Sequence, residues 1–225
     1  MFEKHPAFDP PEDPDGTIWR FTDLAKFLSL LLRHELYFYR ADLQEDPFEG
    51  AIWKLYGQDG KQTKQLHRKA RRWLDQGVFV SSWHCNEHES MAMWKIYGAE
   101  ASGLALRSTY NRLIRSFPEA PEPIHVGVVR YIDFDEDAEP QDEDWFPFMH
   151  KRKAFEYEQE LRAVTKGGDE DAAGVYVAAE LDELVEGVVL APGTPDWVLD
   201  VDRDLAERYE LPAPVAASEV DVEVP

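Results

Sequence analysis

The residues best suited to chemistry lie in one stretch, Phe155-Glu156-Tyr157-Glu158-Gln159-Glu160-Leu161-Arg162-Ala163-Val164. Read as a strand from Glu158 onward, with side chains alternating at period two, it sets Glu158, Glu160 and Arg162 on one face. Two carboxylates beside a guanidinium can steady a developing cation or hold a hydroxyl. Lys151, Arg152 and Lys153 stand just upstream. The same alternation also suits a solvent-facing strand on which Arg162 simply pairs with Glu158 or Glu160.

Two distant segments carry complementary groups. Arg20 sits in Trp19-Arg20-Phe21, and an arginine can clamp a diphosphate with two parallel hydrogen bonds. Ser81 and Ser82 close an apolar run before Trp83, and a serine hydroxyl can hold a ribose or an amide. A carboxylate such as Glu160 can stabilise an oxocarbenium ion forming at a ribose carbon. Trp83, Trp94 and Tyr97 offer aromatic faces for a nicotinamide or a base.

Other patterns are weaker. His84-Cys85-Asn86-Glu87-His88 matches H-x-x-E-H, in which two histidines one helical turn apart bind zinc. That reading needs a helix over 84–88, whereas a β-rich run ends at Trp83 and Asn86 suggests a turn, so no metal site is expected. Asn86 or Glu87 would instead cap a following helix. Residues 61–72 form a basic helical stretch that can collect phosphate or serve as a solvated face. The chain holds neither G-x-x-x-x-G-K-[ST] nor G-x-G-x-x-G, which argues against the familiar phosphate-loop and dinucleotide folds.

Composition narrows the classes. The chain has 225 residues, 45 acidic against 24 basic, and a formal charge of -21, a field that repels nucleic acid and anionic membranes. Acidic surfaces are also how salt-tolerant proteins stay soluble. Hydrophobic residues at 44% and aromatics at 12% exclude a disordered chain. Cys85 is the single cysteine, so no intrachain disulfide forms. Residues 1–16 lack the basic start and apolar run of a signal peptide, and no segment is long enough to span a bilayer. These features point to a soluble, cytoplasmic protein.

The elements that must position the chemistry follow from periodicity and caps. Strands are expected at 17–21, 35–40, 78–83, 103–107, 124–132, 158–165, 174–178 and 187–190. Helices are expected at 24–33, 61–73, 89–97, 108–117 and 196–209. Residues 46–50 read as a turn and 133–144 as an acidic loop. Strands and helices mix without βαβ repetition, so the expected fold is α+β: a single domain over 17–218, built on a mixed, mostly antiparallel sheet with flanking helices. Residues 1–16 form a loose acidic lead-in, and 219–225 a tail.

The order Arg20, then Ser81-Ser82, then Glu158-x-Glu160 resembles the R-S-E signature of arginine-type ADP-ribosyltransferases. The resemblance implies an ADP-ribosyltransferase-like fold, NAD as substrate, and Glu160 as the catalytic glutamate at the nicotinamide ribose. Glu158 would position the acceptor, Arg20 would bind NAD phosphate, and Ser81 would support the site. The family usually has Ser-Thr-Ser where this chain has Ser81-Ser82-Trp83. A second resemblance spans Ile18 to Ser218. Trp19-Arg20-Phe21, Leu36-Tyr37-Phe38, Asp46-Pro47-Phe48-Glu49-Gly50, Ser81-Ser82-Trp83, Met93-Trp94 through Tyr97 with Gly103, and Phe155 to Arg162 resemble the bacterial family called domain of unknown function 2971. It implies that Asp46, Glu49, Trp83, Trp94, Glu158, Glu160 and Arg162 meet, either as a small-molecule cleft or as a buried polar network that fixes the fold. Two functions therefore stand: an NAD-using transferase or glycohydrolase, and a non-catalytic binding or regulatory module of the kind used in stress or phage defence.

Overall fold

Along the chain of this computed structural model run β1 (Thr17–Asp23), α1 (Leu24–Arg33), β2 (Glu35–Arg40), β3 (Val78–Cys85), α2 (Met91–Tyr97), β4 (Gly103–Thr109), α3 (Tyr110–Arg115), β5 (Ile124–Val128) and β6 (Arg130–Ile132). There follow α4 (Phe146–Met149), β7 (His150–Arg152), a 3-10 turn (Lys153–Glu158), β8 (Glu160–Lys166), β9 (Gly174–Ala178), α5 (Leu181–Leu184), β10 (Gly187–Leu190), α6 (Asp196–Arg208) and β11 (Val215–Ala216). The structure describes residues 1–44, 77–98, 102–118, 122–133, 145–167 and 172–221. The expected turn at 46–50 and basic helix at 61–73 lie outside the described residues, as does nearly all of the acidic loop. Ladders β1–β4, β1–β3, β4–β10, β2–β3 and β5–β8 are antiparallel; β10–β11 and β6–β7 are parallel. The sheet is thus mixed and mostly antiparallel with flanking helices, the α+β class expected. No helix of the described residues is long and apolar enough to cross a membrane.

The chain forms two compact units, one of Met1–Pro11, Tyr37–Ser82 and Ala120–Tyr176, the other of Glu12–Leu36, Trp83–Glu119 and Val177–Pro225. In the second unit β4 is central. It pairs with β1 from Thr17↔Thr109 to Asp23↔Gly103, and on its other edge with β10 from Gly187↔Arg107 to Leu190↔Leu104. A strand flanked on both edges and covered on both faces reads as a nearly continuous apolar run, as Gly103-Leu104-Ala105-Leu106 does. The core here joins Trp19, Trp94, Ala105, Val189 and Ala191, with Phe21 against them. Helix α1 starts where Asp23 Oδ1 accepts the Lys26 N–H at 2.9 Å, and buries Phe27, Leu30 and Leu31 on one stripe. Thr109 caps α3 in the same way.

Strand β3 runs two residues beyond its expected end. His84 lies in a strand ladder opposite Trp19, and Ile18 faces Cys85. A strand across the first half of H-x-x-E-H separates its two histidines, so the zinc-protease pattern has no structural basis here. Asn86 Oδ1 accepts the His88 N–H, forming a turn, and Ser90 caps α2 in place of Asn86 or Glu87.

In the first unit β8 pairs with β5 from Ile124↔Thr165 to Val128↔Leu161, and β3 pairs with both β2 and β8. The expected long strand at 124–132 is interrupted at Val129, whose N–H donates to the Glu160 carbonyl at 2.8 Å. The core contains Phe8, Ala41, Val78, Val80, Trp145, Phe148, Met149 and Val164. The lead-in is anchored: Phe2 bridges Ile124, and Phe8 is buried against Gly127, where a Cβ would fall 2.7 Å from the Phe8 Cα. Two phenylalanines among the prolines and acids account for that docking.

Candidate functional site

Strand β8 places Glu160, Arg162 and Val164 on one face, with Val164 in the core. Glu158 arrives by another route. It closes the 3-10 turn, and Gln159 between the two carboxylates takes left-handed backbone angles of φ 40° and ψ 52°. The expected period-two strand therefore begins at Glu160, and the carboxylates converge through a turn. Six residues in one 3-10 turn preclude the extended geometry that alternation assumes.

What joins the two carboxylates is Lys151 on β7. Its Nζ lies 2.5 Å from Glu158 Oε2 and 3.1 Å from Glu160 Oε2. Arg162 grips Glu160 with two bonds, Nε to Oε1 at 2.6 Å and Nη2 to Oε2 at 3.0 Å, and its Nη1 donates to the Phe148 carbonyl at 2.7 Å. Glu160 is fixed at its backbone as well: its N–H donates to the Tyr131 hydroxyl at 2.8 Å, and its carbonyl accepts from Val129. Lys151, Glu158, Glu160 and Arg162 are all buried, Arg162 to 1% exposure. Buried charges persist only when paired, and here two cations meet two carboxylates.

Ser82 completes the group. It hydrogen-bonds to the Glu160 side chain and is itself exposed, whereas both cations are buried. Burial by itself pushes the Glu160 carboxyl up. The charges of Arg162 and Lys151, with hydrogen bonds from Arg162 and Ser82, outweigh it and hold the group at about 2. Glu160 is thus a fixed negative charge, unsuited to donating a proton near neutral pH. Desolvation pushes the Tyr131 phenol well above its usual value, so it stays protonated.

Of the other expected residues that the structure describes, Ser81 is buried beside Ser82 on β3 and the rest belong to the second unit. Arg20 on β1 holds its guanidinium carbon 5.8 Å from the centre of the Trp83 ring. Desolvation lowers that guanidinium to about 10, still cationic at neutral pH. Trp83 and Trp94 are core residues, 2% and 3% exposed. The Trp94 ring meets Phe21 edge-on at 4.8 Å, and its N–H donates to Glu89 Oε2 at 2.9 Å. Tyr97 is 49% exposed. Glu49 and Asp46 lie outside the described residues.

Within the first unit, then, Glu158, Glu160, Arg162 and Ser82 come together; within the second, Arg20 and Trp83 do. Sequence reasoning missed Lys151, which links the carboxylates, and Tyr131, which holds the Glu160 backbone. Lys151 was visible only as one of three consecutive basic residues. It also missed Glu89, which accepts from Trp94, from Ser218 Oγ at 2.6 Å and from the Glu219 N–H at 2.7 Å.

No family model matches the chain, so its resemblance to domain of unknown function 2971 is not shown by that route. No curated protein matches it either. Among solved structures it is similar to DarT of Thermus sp. 2.9 in complex with NAD+, with 11% identity and a TM-score of 0.46 over 95% of this chain and 100% of that one. The same DarT in complex with ADP-ribosylated ssDNA gives 12% identity and 0.45 over 95% and 97%; in complex with carba-NAD+ it gives 12% and 0.44 over 94% and 98%. Likeness at this level carries no functional argument, and function has to be read from the site.

Proposed function

We propose that this chain breaks the bond between nicotinamide and ribose in NAD, as an ADP-ribosyltransferase or NAD glycohydrolase, with Glu160 as the carboxylate that faces the ribose. One observation carries the reading: Glu160 is a permanently ionised carboxylate whose exposed partner, Ser82, is neutral, while its cationic partners are buried. The chemistry of NAD asks for such a group. Its nicotinamide is already a pyridinium, so the C1′–N bond breaks with its electron pair returning to the ring nitrogen, and nicotinamide leaves neutral. No proton has to be supplied to the leaving group. What the transition state needs is negative charge near the ribose as the oxocarbenium ion forms. An acceptor nucleophile or water then closes on C1′ and releases its proton to bulk water.

In this proposal Glu158 positions the acceptor, and Arg162 keeps Glu160 in its rotamer. Ser82 holds Glu160 toward solvent, and Ser81 supports the strand beneath it. Arg20 takes the diphosphate, a short-range task in a chain of net charge -21. Trp83, Trp94 and Tyr97 are assigned to the nicotinamide or adenine side, with Tyr97 the exposed ring and the two tryptophans its backing. Glu49 is assigned to the same ligand. The acidity disfavours nucleic acid as a general partner.

A second reading has its own observation. Arg162 and Lys151 already bond both oxygens of Glu160, as expected if the network only fixes the fold of a non-catalytic binding or regulatory module. Incubation with NAD followed by chromatography for free nicotinamide separates the two. The enzyme reading expects release by the native chain and a loss of at least about a hundredfold in Glu160→Gln, measured below that variant's melting temperature. Absence of both nicotinamide release and NAD binding overturns it.

A further inference from the structure

Helix α6 presents a surface that the NAD reading does not use. Its inner side buries Val198, Asp202 and Ala206. Trp197, Val201 and Leu205 recur at i, i+4 and i+8 and form a separate apolar stripe. Trp197 is 68% exposed and Val201 40%, with Leu205 half-buried at the stripe's inner edge. Tryptophan is a large hydrophobe that is highly buried on average and enriched at protein interfaces. A tryptophan left two-thirds in water at the head of an apolar stripe is therefore informative.

Charge selects what covers it. Asp196, Asp200 and Glu207 are exposed along one side of the stripe. The arginines of the helix are already engaged, Arg208 with Asp204 at 2.6 Å and Arg203 with the Val215 carbonyl at 3.1 Å. Residues 166–225 hold 16 acidic and 3 basic groups. A second copy of the chain would bring another acidic rim against this one, and juxtaposed like charges repel. Nucleic acid and anionic lipid are repelled by the same field. A helix with its own apolar stripe, rimmed by lysine and arginine, gains from both features at once. We propose that Trp197, Val201 and Leu205 are the docking stripe for a cationic amphipathic helix of a partner protein, with Asp196, Asp200 and Glu207 as its electrostatic rim.

The test uses the full chain and a fluorescently labelled synthetic amphipathic helix of leucine and lysine, followed by anisotropy. Controls are the same peptide with glutamate for lysine and a peptide of the same composition without the stripe. The native chain is expected to bind the leucine–lysine helix and neither control. Trp197→Ser and Val201→Asp weaken binding at least about tenfold, as loss of an aromatic anchor does. Asp200→Lys weakens it and flattens its dependence on salt. Because Trp197 is exposed, Trp197→Ser keeps the native thermal melt, which guards against misfolding as the cause. Equal binding by Trp197→Ser, or by the stripeless peptide, overturns the proposal in favour of diffuse attraction to an acidic surface. A concentration-dependent dimer abolished by Trp197→Ser overturns it in favour of a second copy.

Discussion

Glu160→Gln tests the buried cluster directly. In the native protein two cations, Lys151 and Arg162, face two carboxylates, Glu158 and Glu160. Glutamine keeps the shape and removes one negative charge, leaving a buried excess of one positive charge. Its amide N–H groups also point at donors on Arg162 or Lys151. Breaking a buried pair from one side costs about 3–5 kcal/mol. For a chain of this size each kcal/mol moves the melting temperature by about 2–4 °C, so a fall of roughly 6–20 °C is expected near neutral pH. The pH dependence has a definite sign. The folded Glu160 carboxyl is held at about 2, below the usual 4.5. Its contribution is therefore complete above the unfolded value and fades as pH falls from 4.5 toward 2. Melts followed by far-UV circular dichroism should show a wide gap between native chain and variant near neutrality that narrows steadily with acid. A variant within about 2 °C of the native chain at neutral pH would show that the pairing energy is not there.

Asp202 should behave in the opposite sense. It is 2% exposed on the inner side of α6, its Oδ1 has no hydrogen-bond partner among the described residues, and burial holds its carboxyl up at about 6 rather than 3.8. A raised value means the native state holds the proton more tightly, so the stability present in acid is lost as pH rises from 3.8 to 6. Asp202→Asn should gain about 3 kcal/mol in urea unfolding above that range and almost nothing near pH 3; an equal gain at both would refute the assignment. Gln159 pays for its left-handed backbone, φ 40°, with strain of about 1 kcal/mol. Gln159→Gly should leave the unfolding midpoint unchanged or raise it, and Gln159→Val should lower it by more than that strain; tolerance of valine would rule out the turn described here.

Local signals were legible where one neighbour decides the structure. Asp23 caps α1 and Thr109 caps α3 because short polar side chains reach the free N–H groups of a first turn; residue type narrows each cap to a neighbouring pair, Thr22 or Asp23 and Ser108 or Thr109, and the backbone chooses the second of each. The apolar run of β3 marked a strand, although its two further residues are recruited by pairing with β1, which no local pattern reveals. The candidate site divides along the same line. Glu160 and Arg162 stand two apart on a strand and could be paired by period alone. Lys151 reaches them because β7, the 3-10 turn and Gln159 fold back together, and the turn breaks the periodicity on which the reading of Glu158 relied. Trp83 and Trp94 illustrate the converse: an aromatic side chain looks the same in sequence whether it stacks on a ligand or fills a core.

Two properties of the chain bear on the proposed use of NAD in opposite ways. The negative charge proposed to suit Glu160 to a pyridinium and an oxocarbenium ion is local, held among the described residues by two buried cations and the exposed, neutral Ser82. The negative charge of the whole chain acts at longer range and works against the diphosphate of the proposed substrate. A local device is therefore required to hold phosphate, and it must be cationic and partly shielded from water. Arg20 fits that need: its guanidinium is desolvated over the Trp83 ring and remains charged at neutral pH. The two requirements fall on separate residues, so they separate in kinetics. If the proposed roles hold, loss of Arg20 weakens the binding of NAD, whereas loss of the Glu160 charge removes an interaction that strengthens only as the bond to nicotinamide breaks.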